Sequence, residues 1–248
     1  MNRSIEINCD MGEGFGRWKM GPDAELIKYV DVANIACGFH AGDPSIMINT
    51  IRLAKKHNVK VGAHPGLQDL LGFGRRRMSV DTEDMYAMIL YQVGALKAML
   101  EAEDMALNHV KPHGELFFYM HRDHGIMDAV LRAVKCFNVP IYGIPNEAQI
   151  LACQKLGIDF KYEFYPDIDY NDSGRLVPVA ESAVTTPEQI GDRIRRFALE
   201  DAVLSNSGST VPTGFSSGPF SICIHSDLPQ ALDNARVARE VVDKLSKG

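Results

Sequence analysis

Histidines, carboxylates and a lysine recur just after short apolar runs in this chain. The run ending at Cys9 leads into Asp10 and Glu13, within Asn8-Cys9-Asp10-Met11-Gly12-Glu13-Gly14-Phe15-Gly16. The next leads into Gly38-Phe39-His40-Ala41-Gly42-Asp43. A third leads into His64-Pro65-Gly66, then Asp69 and Gly72-Phe73-Gly74-Arg75-Arg76. A fourth leads into Lys111-Pro112-His113-Gly114-Glu115, and the last into His225-Ser226-Asp227. Imidazole and carboxylate groups together can hold a divalent metal that activates water for hydrolysis. The same groups can act without metal, as general acid and base at an amide carbonyl. Lys111, Arg75 and Arg76 add positive charge suited to a carboxylate or phosphate on a substrate. Asn171, in the polar turn Tyr170-Asn171-Asp172-Ser173-Gly174-Arg175, is a candidate for covering such a site.

Taken singly, each signal has a plainer explanation. A histidine after a strand is usually a hydrogen-bonded structural residue, and Arg75-Arg76-Arg77 also reads as a solvated loop. His57, His121 and His124 lie in helix-like segments and read as surface residues, while His109 sits inside a strand-like run and is open to either reading. Gly12-x-Gly14-x-Gly16 has neither the dinucleotide-binding spacing nor a phosphate-loop lysine, so it does not specify a nucleotide site. The argument for function is convergence. Asp10, Glu13, His40, Asp43, His64, Lys111, His113, His225 and Asp227 all follow strand-like runs, and in α/β proteins those strand ends share one face, where ligands bind.

The positioning elements follow from periodicity. Seven runs read as strands: Ile5–Cys9, Val32–Ala36, Val59–Ala63, Leu107–Lys111, Pro140–Gly143, Phe160–Phe164 and Ser221–Ile224. Between them lie amphipathic helix patterns. Asp43-Pro44-Ser45 reads as a cap with proline in the first turn, and Asp81 opens a long helix through Leu100. Further helices fit 125–136, 146–156, 186–199 and 228–245, and 205–218 reads as a Gly/Ser-rich loop. The alternation predicts a parallel sheet covered by helices. Seven strands suit a barrel or incomplete barrel better than a small open sheet, with a doubly wound sheet as the alternative. A single α/β domain over 1–248 is expected.

Composition narrows the classes. With 26 basic and 32 acidic residues the net charge is −6, against a nucleic-acid partner or an anionic membrane surface. The apolar runs are too short for a transmembrane helix, and the first residues lack a signal-peptide pattern. The five cysteines are scattered with no CxxC pair, so Cys9, Cys37 and Cys223 read as buried thiols. Together these features predict a cytoplasmic protein.

The blocks quoted above, with Ala33–Pro44, Gly62–Gly66, Val110–Gly114 and Tyr170–Pro178, resemble the LamB/YcsF family nearly end to end and in family order. The resemblance implies an irregular seven-stranded (β/α) barrel of the glycoside hydrolase/deacetylase type. It also implies a subunit of an ATP-dependent 5-oxoprolinase, opening 5-oxo-L-proline to L-glutamate with ATP, Mg2+ and partner subunits B and C. On that reading Asp10, Glu13, His40, His64, Lys111 and His113 are catalytic, and Asp43, Arg75, Arg76, Asn171, His225 and Asp227 bind substrate. By analogy with related deacetylases, Asp10, His40 and His64 are the positions for a divalent metal. The chain departs from the family pattern at Leu67-Gln68, Glu115-Leu116-Phe117, Ile168 and Ser226, residues placed to shape a pocket, so a related lactam or cyclic amide is an alternative substrate. Two other readings stand beside this one: a stand-alone metal hydrolase such as a carbohydrate deacetylase, and a non-catalytic ligand-binding subunit.

Overall fold

The structure, a computed structural model, describes residues 5–144, 146–214 and 218–247. Strands β1 (Ile5–Met11), β2 (Val32–Ala36), β3 (Lys60–His64), β4 (Leu107–Val110), β5 (Ile141–Gly143) and β6 (Phe160–Phe164) pair in sequence order. After the short strands β7 (Ala202–Leu204) and β8 (Thr210–Pro212), strand β9 (Phe220–Ile224) inserts between β6 and β1 and closes the barrel. Every pairing around the barrel is parallel, as expected of the seven-stranded barrel. Among the described residues no helix is long and apolar enough to cross a membrane.

Helices α1 (Asp23–Leu26), α2 (Pro44–His57), α3 (Thr82–Ala102), α4 (Gly114–Arg122), α5 (His124–Lys135), α6 (Glu147–Leu156), α7 (Pro187–Glu200) and α8 (Ala231–Leu245) fill the connections. Their starts follow local chemistry. Asp43 caps α2 by accepting from the N–H groups of Ser45 and Ile46, and Pro44 occupies the first turn. Thr186 and Gln189 form a reciprocal capping box on α7. One expectation needs correction. The 205–218 stretch is not all loop, because Thr210–Pro212 pairs antiparallel with Ala202–Leu204. Three-residue strands are too short for alternation to reveal. Residues 215–217 lie outside the described residues.

Strand alternation sorts the barrel into two layers. Ile7, Cys9, Met11, Ile35, Val61, Ala63, Ile222 and Ile224 are buried in the apolar core, together with Ile51, Ile89, Val93, Leu96, Val130 and Ala235 of the surrounding helices. The alternate positions meet inside the barrel, where branched apolar layers are usual. Here they are polar and fully buried. Asn8 donates to Glu163 Oε1 (2.9 Å) and Ser221 Oγ (2.6 Å), and Asn34 donates to Asn8 Oδ1 (2.6 Å). His109 Nε2 lies 2.8 Å from Asn34 Oδ1, which resolves its role as structural. Gly62 makes room for that ring, since a Cβ there would stand 2.0 Å from His109 Cε1. Mutual satisfaction of these groups is what makes a buried polar interior tolerable. Cys9, Cys37 and Cys223 are buried free thiols, with the Cys37 thiol pushed up to about 12 by burial. His124 is exposed, as expected, whereas His57 and His121 are half-buried, His121 against the Phe117 ring.

Candidate active site

The polar interior ends at the C-terminal strand ends in a buried ion pair. Lys111, just past β4, places Nζ 2.6 Å from Asp10 Oδ1, with 3% and 4% of the side chains exposed. The ammonium also reaches Cys223 Sγ at 3.0 Å and Glu163 Oε1 at 3.9 Å. Asn34 donates to Asp10 Oδ1 at 2.8 Å, while Asp10 Oδ2 faces His64 Nε2 at 3.4 Å and His225 Nε2 at 4.0 Å. Burial alone would raise the Asp10 pKa. The His64 and Lys111 charges outweigh it and hold the carboxyl well below its ordinary value. Burial likewise pulls Lys111 down, and the Asp10 carboxylate more than reverses that. Both directions describe a charged pair.

A histidine cluster adjoins it. His64 Nδ1 lies 2.7 Å from the Lys111 carbonyl, and His113 Nε2 lies 2.7 Å from the Phe73 carbonyl. Carbonyl oxygens only accept, so each of these nitrogens carries a proton. The other two nitrogens, His64 Nε2 and His113 Nδ1, then face each other at 3.0 Å. Two lone pairs at that distance require a proton or a cation between them. Glu13 Oε1 stands 3.5 Å from His113 Nδ1 and 3.1 Å from His40 Nε2, and its Oε2 accepts from Ser226 Oγ at 3.3 Å. Glu13, His40, His64 and His113 thus offer ligand atoms all within 4.8 Å of one another. Burial lowers the pKa of His40 and His113, favouring the neutral rings that metals bind, and raises that of Glu13.

Ring geometry limits how this group could hold an ion. His40 and His113 stack with centroids 3.6 Å apart and planes 4° from parallel. One ion cannot lie in both planes, as imidazole ligation requires. His64 and His113 are nearly perpendicular, at 87°, so their two nitrogens and Glu13 can converge on one ion, with His40 orienting the carboxylate. Close packing of this cluster depends on Gly74, at φ +64°, where a Cβ would stand 2.6 Å from His40 Cβ.

A cleft opens above the pair. Its polar end holds Asp10, His64, Lys111, His113 and His225, with Arg75 at its edge. Phe117, Phe118, Tyr165, Ile168, Leu176, Val177 and Val179 also line it. Arg75 Nη1 is bound to Asp227 Oδ2 at 2.8 Å. Asp167 accepts from the His225 backbone N–H (2.7 Å) and faces His225 Nδ1 (3.0 Å), which leaves Nε2 directed toward Asp10. Burial would lower the His225 pKa, and the Asp167 carboxylate outweighs it and raises the value.

The structure therefore brings Asp10, Glu13, His40, His64, Lys111, His113, Arg75, His225 and Asp227 together. Three other candidates stand apart. Asp43 uses one oxygen to cap α2 and the other to hold the Gly16 N–H at 2.7 Å. Arg76 turns outward onto Asp69, and Asn171 Oδ1 closes its own turn through the N–H groups of Ser173 and Arg175. Within the expected metal set, His40 and His64 fall in the cluster with Glu13 and His113, whereas Asp10 groups with Cys223 and His225. Glu115 is engaged by Arg122. Asn34, Glu163 and Asp167 escaped the sequence reading. Asp167 follows the end of a strand as the other site residues do, and inward alternation along β6 points to Glu163.

A closed seven-stranded parallel barrel with an acid–base cluster at its strand ends defines a class of α/β-barrel proteins with hydrolase-like sites. The chain belongs to the LamB/YcsF family, whose sequence profile matches residues 5–247. It is 44% identical over 241 residues to the lactam utilization protein lamB of Emericella nidulans, covering 97% of this chain and 95% of that one. It is 39% identical over 247 residues to a 5-oxoprolinase subunit of Vibrio cholerae, covering 98% and 99%. The crystal structure of the lactam utilization protein from Thermus thermophilus superposes with a TM-score of 0.89 at 39% identity, covering 98% of this chain and 97% of that chain.

Proposed function

We propose that this chain is the ring-opening subunit of an ATP-dependent lactam hydrolase of the 5-oxoprolinase type, acting on 5-oxo-L-proline or a related lactam in the cytoplasm. The observation that carries the proposal is the buried Lys111–Asp10 pair at the base of a cleft, with His64 and His225 facing the same carboxylate. Relatives named as a lactam utilization protein and as a 5-oxoprolinase subunit support it.

The amide edge of the lactam sits at the polar end of the cleft. Asp10, kept ionised by Lys111 and His64, takes a proton from the attacking water, whose oxygen bonds to the amide carbon. Lys111 stabilises the charge that develops on the amide oxygen. The C–N bond then breaks, and His225, oriented by Asp167, gives the nitrogen its proton. His40 and Glu13 orient the cluster, and His64 and His113 hold the proton between them. A divalent metal fits the Glu13–His64–His113 face of that cluster; bound there, it would polarise a carbonyl or lower the pKa of water.

A lactam amide is resonance-stabilised, and phosphoryl transfer from ATP to its oxygen activates the carbon; C–N cleavage then leaves an acyl phosphate, which a second water hydrolyses to the carboxylate and inorganic phosphate. We place ATP and Mg2+ with partner subunits B and C. In support, the Gly12 and Gly16 N–H groups, which could cradle a phosphate, are occupied by the Asp23 and Asp43 carboxylates. The test is Asp10→Asn, which keeps an acceptor for Lys111. The variant is expected to fold, at a cost of about 1 kcal/mol or more from the ammonium left without its partner, and to lose ring opening in the complete complex. Full turnover would remove Asp10 from the mechanism. Chelator-sensitive amide or ester hydrolysis without ATP would favour a stand-alone metal hydrolase instead.

A further inference from the structure

The polar barrel interior runs up to the carboxylate that serves as base. We infer that His109 is a positioning residue, acting through Asn34 to hold Asp10 with one oxygen fixed and the other turned to the cleft; this rests on the ring-opening reading above. Asp10 is a charged acceptor, so the Asn34 atom 2.8 Å from its Oδ1 is the amide nitrogen. The second hydrogen of that nitrogen goes to Asn8 Oδ1 at 2.6 Å. Asn8 is oriented in turn, because its own amide nitrogen donates to Glu163 Oε1 and Ser221 Oγ. Asn34 Oδ1 therefore has to accept, and the group 2.8 Å away is His109 Nε2, which donates. The hydrogen bonds run in one direction, from His109 to Asn34 to Asp10, and each proton stays on its donor.

The imidazole is held in place for this role. Tyr142 stacks on it with centroids 3.7 Å apart and planes 17° from parallel. Gly62 leaves the space on the β3 side, where a Cβ would stand 2.0 Å from His109 Cε1. His109 is buried, and burial with the Lys111 charge keeps its pKa well below the ordinary value, so the ring is neutral and carries its proton at Nε2. Nδ1 faces the Asn108 side chain at 3.1 Å, whose amide offers either a donor or an acceptor. At the far end, Asp10 Oδ1 receives the Asn34 amide at 2.8 Å and the Lys111 ammonium at 2.6 Å. Oδ2 faces His64 at 3.4 Å and His225 at 4.0 Å, two residues that line the cleft, and is the oxygen that takes the proton from water. Without the His109 donor, Asn34 Oδ1 becomes a buried acceptor with no partner. Asn34 then shifts to recover one, at the expense of its bond to Asp10.

The test compares His109→Leu with His109→Gln, whose amide nitrogen reaches Asn34 as Nε2 does. Turnover of 5-oxo-L-proline is measured in the complete mixture with ATP, Mg2+ and both partner subunits, with this chain limiting and its folded fraction set by circular dichroism. His109→Leu is expected to lower kcat by about tenfold or more with KM unchanged, and His109→Gln to restore most of the loss. Leu100→Ala, a core truncation on α3, controls for lost stability and should leave kcat per folded chain at the wild-type value. Should His109→Leu not fold, nitrogen NMR of the wild-type chain decides. The His109 ring is expected as the Nε2–H tautomer at neutral pH, and the Nδ1–H tautomer would overturn the inference. Wild-type kcat in His109→Leu, or an equal loss in His109→Gln, would also overturn it. Full turnover by Asp10→Asn would overturn the ring-opening reading itself, whereas an inactive Asp10→Asn beside a fully active His109→Leu would overturn only the positioning role.

Discussion

Replacing Lys111 with methionine tests the central ion pair. The ammonium and Asp10 are 2.6 Å apart with 3% and 4% of their side chains exposed, and Glu163 Oε1 is 3.9 Å away. Methionine fills similar volume, so the loss is chiefly electrostatic. Two buried carboxylates remain with their shared counter-charge gone, a change worth about 3–5 kcal/mol. In Asp10→Asn/Lys111→Met both charges of the pair are absent, and the Asn34 donor to position 10 keeps an acceptor. The double variant should lie within about 1–2 kcal/mol of wild type. With Asp10→Asn alone costing about 1 kcal/mol or more, the coupling energy from the cycle is about 2 kcal/mol or more. Urea unfolding at neutral pH measures it, with the exposed Lys97–Glu101 pair on α3 as a control worth about 0.3–0.5 kcal/mol. Because the Lys111 pair is buried, added salt should reduce the control coupling and leave the main one nearly unchanged. A Lys111→Met cost below about 1 kcal/mol, or a strictly additive cycle, would refute the reasoning.

Three further outcomes follow from the packing. Gly62→Ala forces a Cβ into the His109 ring and breaks its bond to Asn34, so it should cost about 2–4 kcal/mol and lower Tm by roughly 5–10 °C in a thermal melt. Asp43→Ala removes the α2 cap and the tether on Gly16 at once, and chemical denaturation should register a loss of about 1–2 kcal/mol. Asp69 is held below its ordinary pKa by Arg76 and by the N–H groups of Gly72 and Arg76. Its stabilising contribution is therefore full above the unfolded carboxylate value of about 4 and is lost as pH falls through the lower folded value. Asp69→Asn should destabilise at neutral pH and have little effect in strong acid, as urea midpoints across pH would show.

The barrel was legible because each strand carries its own apolar run and most long helices their own cap, as at Asp43 and Asp81, with α8 the exception. Convergence of Asp10, His40, His64, Lys111, His113 and His225 was legible because parallel strands place those ends on one face. Hydrogen-bond accounting was not. Asp43 looked like a site residue, yet its oxygens are committed to backbone N–H groups, and only coordinates reveal that. The polar barrel interior was hidden for a related reason. Asn8, Asn34 and Glu163 lie far apart in sequence, and their meaning appears only when closure brings them into one network. Asp167 shows the opposite case, a residue that the strand-end rule covers but the motif reading passed over.

The most direct measurement is release of the ring-opened amino acid from a lactam by the purified chain, with ATP and Mg2+, with and without subunits B and C. The account predicts release only in the complete mixture, one ATP consumed per ring opened, and none with Asp10→Asn in place of the wild-type chain. No release from 5-oxoproline or neutral lactams, with the partners shown to be competent, would contradict it.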